Sequence, residues 1–318
     1  MSKIIDNIDR NSDRIICVMH SRDNDGFCSG AVMNRYFPNA KMIGYDYGQP
    51  IPQEVLDAEN ADLLVVADVS FQMKDFAMLS TKYNLGILWI DHHVSAFKDY
   101  ESFFTDKSDV NIEYIYDDKI SACEACWTYF FPEQAVPMVV NLLGIYDTFR
   151  KGEPLWNNAY NFQFGMKAIC NGFYSFPKGL LEYSDDFSVE KQIDMMISNG
   201  ITILGYQEKM NQANCIKNAF EINLDGYRAI CMNDVSHMSM ALKSAYNPEK
   251  HDVMVMFYRN KSGYCVSIYT DKDDIDCSQI AKSHGGGGHR KAAGFNTNNL
   301  DDVNMLLNPN FNTSKSSE

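Results

Sequence analysis

Positive charge is scarce in this chain. Of 318 residues, 28 are Lys or Arg against 42 Asp or Glu, a net charge of −14. Nonspecific affinity for long nucleic acid comes from Lys and Arg neutralising phosphates. A surface this acidic therefore excludes long duplex as a partner, and a phosphate-bearing ligand must be small or gripped at one local site. Long hydrophobic runs are also missing: none approaches the roughly 20 residues of a membrane helix. Asp6, Asp9, Arg10, Asp13 and Arg14 stud the start, which no signal-peptide core tolerates. A membrane is thus not an expected partner. Cysteine is sparse and scattered; the nine form an odd number, and Cys123 and Cys126 are the only close pair. With no second pair at zinc-site spacing, buried thiols in a reducing, cytoplasmic compartment are expected.

What is present supports large cores. Apolar residues make up 45% of the chain, which excludes general disorder, and the length favours two domains. In the first half, short apolar runs alternate with helical text. Ile15–Met19, Lys41–Tyr47, Leu63–Ala67 and Gly86–Ile90 read as strands. Ala31–Phe37, Ile51–Glu59 and Lys74–Tyr83 read as helices between them, followed by helices at Ser121–Phe131 and Glu133–Tyr146. The alternation predicts an α/β fold with a doubly wound, mostly parallel sheet, and Ser121 is placed to cap the helix after it. Residues 189–216 read as a connecting helix, whose amphipathic face can pack on its own domains or on a second subunit. Beyond it, Phe220–Met232, Asp252–Tyr258 and Tyr264–Thr270 read as strands, with helices at Ser236–Ala245 and Asp276–Ser283. The expected organisation is a catalytic domain at 1–188, the connecting helix, a smaller α/β domain at 217–307 and a frayed Asn/Ser-rich tail at 308–318.

The chemistry gathers at the carboxyl ends of the proposed strands. His20, Asp23 and Asp25 follow the first, Asp68 follows another, and Asp91-His92-His93 ends the next. In open α/β sheets those ends face one crevice, and Asp147, in or just after a helix, can reach it. Crowded carboxylates disfavour one another's ionisation, and desolvation adds to the cost. A divalent cation resolves the conflict. Oxygen and imidazole donors without thiolate suit manganese, magnesium or a similar ion, and the donors suffice for two, the arrangement that clamps attacking and leaving oxygens at phosphorus. Any one of these residues alone reads as a turn or cap; the combination does not. A second signal is Gly285–Gly288, followed by His289, Arg290 and Lys291. Consecutive glycines expose backbone N–H groups able to curl round an anion.

Together these residues resemble the DHH phosphoesterase superfamily, whose triplet stands here as Asp91-His92-His93. The stretch Gly286–Gly294 is similar to the signature of the superfamily's associated C-terminal domain, and the matches span about residues 15 to 295. The resemblance implies one metal held by His20, Asp23 and Asp68 and a second held by Asp25, Asp68, His92 and Asp147. The two ions would most often be manganese, with magnesium or cobalt as substitutes. Asp91 would orient a neighbouring imidazole, His93 would face the scissile phosphate, and a hydroxide bridging the metals would attack. Gly286, Gly287, Gly288, His289 and Arg290 would grip the substrate. Tyr269 departs from the family pattern, standing where many relatives carry a phosphate-binding arginine. The implied enzyme is a two-metal phosphodiesterase that hydrolyses short oligonucleotides to 5′-mononucleotides. The alternative is a phosphatase acting on a small nucleotide such as 3′-phosphoadenosine 5′-phosphate, or a cyclic (di)nucleotide phosphodiesterase.

Overall fold

The computed structural model describes residues 3–106, 110–182, 187–235 and 241–307. The chain divides into two compact units, Met1–Leu204 and Gly205–Glu318. The first contains β1 (Ile15–His20), α1 (Asn24–Tyr36), β2 (Lys41–Tyr45), α2 (Gln53–Leu56), β3 (Leu63–Ala67) and α3 (Met73–Tyr83). It continues with β4 (Ile87–Asp91), α4 (Val94–Phe103), β5 (Ile112–Tyr116), α5 (Ala122–Phe130), α6 (Met138–Asp147) and α7 (Trp156–Ile169). The sheet runs β2-β1-β3-β4-β5 with every pairing parallel.

The apolar runs of β1, β3 and β4 are continuous because both faces of the sheet are covered. Ile15, Cys17, Met19, Leu88 and Ile90 enter one core, with α1 and α5–α7. Ile16, Val18, Leu64, Ile87 and Trp89 enter the other, with α3 and α4. Trp89 is fully buried, stacks on Tyr114 at 3.9 Å between ring centroids and donates its indole N–H to the carbonyl of Val69 at 3.0 Å. Burying an aromatic of this size stabilises by roughly 1.5–3 kcal/mol, and here it fixes the strand that ends in the Asp-His-His triplet.

Local departures from the sequence expectation have simple causes. The helix expected over Ile51–Glu59 is one α-turn and a short 3₁₀ turn at Ala58–Asn60. That expected over Glu133–Tyr146 starts only at Met138, because Pro137 takes the cap position. Strand β5 is half-buried along its length and lies at a sheet edge, so it offers no continuous apolar run to read. Ser121 accepts the N–H of Glu124 while Glu124 reaches back to Ser121, a complete capping box for α5.

Helix α8 (Phe187–Asn218) contains the division between the units. Its first turns are not a bare connector, since Val189, Ile193 and Met196 are buried in the core of the first unit. The second unit comprises β6 (Phe220–Leu224), β7 (Tyr227–Asn233), β8 (Val253–Asn260), β9 (Gly263–Tyr269), α9 (Cys277–Ser283), β10 (Gly287–His289), β11 (Ala292–Thr297) and α10 (Leu300–Leu307). Its sheet runs β10-β11-β9-β8-β7-β6, antiparallel except for the β7–β8 pair. Asp225-Gly226, both at positive φ, turn β6 into β7. Of the helix expected over Ser236–Ala245, residues 236–240 lie outside the described residues and 242–245 form turns. The expected tail at 308–318 also lies outside them. Among the described residues no helix is long and apolar enough to cross a membrane. All nine cysteines are free thiols, eight of them buried.

Candidate metal centre

Because the five strands are parallel, their carboxyl ends share one edge of the sheet, and the centre sits across the ends of β1, β3 and β4, where the strand order reverses. Strand alternation then deals out the side chains. Along β4 even positions face α1, α5 and α6, so His92 follows Leu88 and Ile90 toward Asp25 and Asp147. Asp91 and His93 stay together, the imidazole Nδ1 lying 2.7 Å from the Asp91 carboxylate. Asp91 is fully buried and also accepts the backbone N–H of His92 at 2.8 Å.

Three overlapping groups of candidate ligands result among the described residues, each with its atoms within 4.8 Å of one another: His20, Asp23 and Asp68; Asp25, His92 and Asp147; and Asp68, Asp91, His92 and His93. In the first, His20 Nδ1 lies 2.9 Å from Asp23 and 3.6 Å from Asp68. In the second, His92 Nε2 lies 3.3 Å from Asp147 and 3.7 Å from Asp25. It also lies 3.3 Å from Asp68, so Asp68 adjoins both these groups.

Asp23, Asp25 and Asp68 are placed by a helix start or a strand end, and Asp147 is the last residue of α6. Asp23 caps α1 with one oxygen, on the N–H of Gly26 at 3.0 Å, which leaves the other for His20. A Cβ on Gly26 would collide with the carbonyl of His20, so only glycine lets the helix start this close to β1. Asp25 is gripped by the first N–H groups of α5, from Ala122 at 2.9 Å and Cys123 at 2.8 Å, where the helix dipole favours an anion. Asp68 has φ 62, a left-handed conformation that costs a non-glycine residue stability and that collects at functional sites.

The donor set fits divalent cations. Among the described residues Asp68 Oδ2 and His20 Nδ1 are buried without a hydrogen-bond partner, His20 Nδ1 having only the 2.9 Å ion-pair contact with Asp23. Buried lone pairs left unmatched are costly, and oxygen and imidazole donors of this kind are matched by hard or borderline ions. The protonation pattern of the ion-free site tells the same story. Burial opposes charge on His20, but Asp23 and Asp68 outweigh it and lift its pKa to about 10. Burial likewise opposes charge on His92, and Asp68, Asp25 and Asp147 lift it to about 10. Burial, and then repulsion from Asp25, push the carboxyls of Asp68 and Asp147 well above the usual range. Without cations, protons take their place.

In the second unit the four glycines serve the backbone first. Gly285, at φ 77, and Gly286 donate their N–H groups to the carbonyls of Lys282 and Ala281 and close α9 in a Schellman motif. A Cβ on Gly286 would strike the carbonyl of Gly294. Gly287 and Gly288 continue as β10, the edge strand. The expected anion nest therefore gives way to a capped helix and a strand edge, because the helix end claims the first two N–H groups. His289 and Arg290 are exposed, and the Arg290 guanidinium donates to the carbonyl of Asp273 at 2.6 Å. Tyr269, last residue of β9, pairs in register with Ala292 and packs partly against Met254 and Met256.

Residues 229–309 match the model of the DHHA1 domain. The second unit thus carries a DHHA1 domain. That domain follows, in the chain, an Asp-His-His triplet whose neighbouring side chains converge. No curated protein matches the sequence. Similar solved structures include an uncharacterized protein from Helicobacter pylori G27, 16% identical with a TM-score of 0.41, over 92% of this chain and 99% of that one. Another is the pGpG-specific phosphodiesterase PggH from Vibrio cholerae, 12% identical with a TM-score of 0.49, over 92% and 97%. A third is RecJ in complex with Mn2+ from Thermus thermophilus, 11% identical with a TM-score of 0.48; the match covers 92% of this chain and 50% of that one.

The candidate centre also includes residues that the sequence reading passed over. Asp46, just past the end of β2, lies 3.4 Å from His20 Nε2 and 2.5 Å from Arg22. The Tyr47 ring meets His20 edge-on at 5.7 Å and His93 at 6.1 Å between centroids. Their position at a strand's carboxyl end was the available signal. Arg150 donates to both oxygens of Glu124, at 2.7 and 2.8 Å, and so ties the start of α5, which grips Asp25, to the segment after Asp147. Nothing in the sequence pairs those two residues.

Proposed function

We propose that this chain is a two-metal phosphodiesterase hydrolysing short oligonucleotides to 5′-mononucleotides. The observation that carries the reading is Asp68, a strained, buried carboxylate adjoining both ligand groups with an unmatched oxygen. His20, Asp23 and Asp68 would hold one cation; Asp25, Asp68, His92 and Asp147 the other, with manganese as the favoured ion. Such ions supply charge that acidifies a water nucleophile and offsets charge developing at phosphorus. The chain's own residues do the positioning. Asp91 accepts from His93 Nδ1 and orients the ring, and although burial opposes charge there, Asp91 favours the imidazolium, whose Nε2–H can donate to a phosphate oxygen. Burial of Asp91 keeps that orientation out of competition with water.

To the second unit we assign nucleotide binding, through the β10 edge at Gly286, Gly287 and Gly288, with His289, Arg290 and Tyr269. The acidic composition supports a short substrate, and nine free thiols support a cytoplasmic setting. The test is to incubate the purified protein and manganese with RNA and DNA of two to five nucleotides, a long single strand, 3′-phosphoadenosine 5′-phosphate and cyclic dinucleotides. Fastest turnover of the short oligonucleotides, with 5′-mononucleotides as products, is expected. Preference for the long strand refutes the short-substrate reading, and preference for 3′-phosphoadenosine 5′-phosphate or cyclic compounds transfers it to the alternative.

A further inference from the structure

Beside His93 the first unit holds a cavity of about 790 Å³ that ligation of cations does not use. It lies within the range of small-molecule sites. One wall is a single face of α4, where Ser95, Asp99, Ser102 and Phe103 recur at helical spacing; others come from the segments after β2 and β3. Its chemistry differs from that of the metal centre. Among the described residues no Lys or Arg lines it, so none of them compensates a phosphate there. Two of its aromatic side chains are exposed, Tyr47 at 47% and Phe103 at 50%, although large aromatics are ordinarily covered. Asp99 is exposed, and its carboxylate has no partner among the described residues.

We propose that this cavity is a nucleobase subsite with a preference for guanine. A base stacks on Tyr47 and Phe103, and the Asp99 carboxylate receives two adjacent N–H donors. A carboxylate only accepts hydrogen bonds. Guanine sets its N1–H and N2 amino group side by side on one edge, whereas adenine, cytosine and uracil each place an acceptor next to the donor and so oppose an anion there. The Tyr47 ring touches His93 edge-on, so a base lying on it brings its phosphodiester next to the imidazole. The inference rests on the phosphodiesterase reading and deepens it by naming where one base goes.

The experiment compares GpG with ApA as substrates of the manganese-loaded full chain, in the wild type, Phe103→Ala and Asp99→Asn, with circular dichroism to confirm folding. The wild type is expected to favour GpG. Phe103→Ala is expected to lower kcat/KM on GpG roughly 5- to 150-fold, the worth of one stacked base, mostly through KM. Asp99→Asn is expected to reduce the GpG:ApA ratio about tenfold or more, since an amide can serve adenine. A folded Phe103→Ala variant with wild-type KM, or an Asp99→Asn variant with an unchanged ratio, overturns the subsite. If the wild type cleaves neither dinucleotide, the phosphodiesterase reading is what fails. Calorimetry of GMP and AMP on the same three proteins then decides the pocket separately: GMP bound more tightly than AMP and weakened by both substitutions supports it, and equal or unaltered binding overturns it.

Discussion

In the first unit Asp23, Asp25, Asp68 and Asp147 crowd two imidazoles, and among the described residues none of the four forms an ion pair with Lys or Arg. In the second, Asp252 alone receives donors from Arg228 Nε, Arg228 Nη2, the Arg228 backbone N–H and Lys272 Nζ, at 2.7–3.0 Å. Lys291 likewise lies 2.7 Å from Asp273. One unit has gathered anions and left them unmatched; the other has matched its carboxylates with cations of its own. Stability alone selects the second arrangement. The first persists only where charge from outside the chain completes it, which is why the metal centre is read in the unit with the worse internal electrostatics.

The strongest way to sharpen that contrast is Asp68→Gly. Removing the residue adjoining both ligand groups is expected to lower kcat by roughly 10³-fold or more, at least the scale of losing a transition-state-stabilising group. The ion-free protein should become more stable, by about 1 kcal/mol, because glycine accepts φ 62 without strain and one crowded carboxylate is gone. Thermal unfolding with a chelator, beside turnover with manganese, reads both. A variant that keeps its activity, or that loses stability without metal, breaks the comparison.

A smaller effect concerns protons. In the ion-free site His20 and His92 have pKa values raised to about 10, and the carboxyls of Asp68 and Asp147 are raised as well. All four must shed protons to act as ligands, so metal binding should release protons and the apparent affinity should rise with pH, about tenfold per pH unit for each proton released. Calorimetric titration with manganese in buffers of different ionisation enthalpy, at pH 6.5 and 7.5, measures it. No proton release, or tighter binding at the lower pH, counts against the site as described.

How much of this was legible beforehand follows from the same physics. The parallel sheet was readable because its central strands are apolar on both faces, and the ligand residues other than Asp147, which ends α6, because they stand at or shortly after the end of such a strand. Edge strand β5 and the amphipathic α4 lacked that signature, and with α4 went the face that lines the cavity beside His93. The Glu124–Arg150 pair joins residues 26 apart, a tertiary fact with no local trace. Gly285–Gly288 was legible only in part, for a related reason. A run of glycines advertises free N–H groups, yet whether they stay free depends on the helix before them, and α9 takes the first two.

The mildest test falls on the second unit, where the comparison predicts an ordinary structural ion pair. Hydrogen bonds from Arg228, then from Lys272, hold the Asp252 carboxyl well below the usual carboxylate range, against a modest opposing effect of burial. A depressed folded pKa means that the ion pair's contribution is fully present above the unfolded value, about 3.9, and disappears as pH falls through the folded value. Asp252→Asn should therefore lower Tm by a few degrees near pH 7, since a partly exposed pair contributes little. The gap between the two proteins should hold down to about pH 5 and close below about pH 4. Raised salt should narrow it at neutral pH without affecting the catalytic constants. A gap that widens in acid, or a variant that loses metal affinity, would mean that this carboxylate is not the self-contained counterpart of the crowded ones in the first unit.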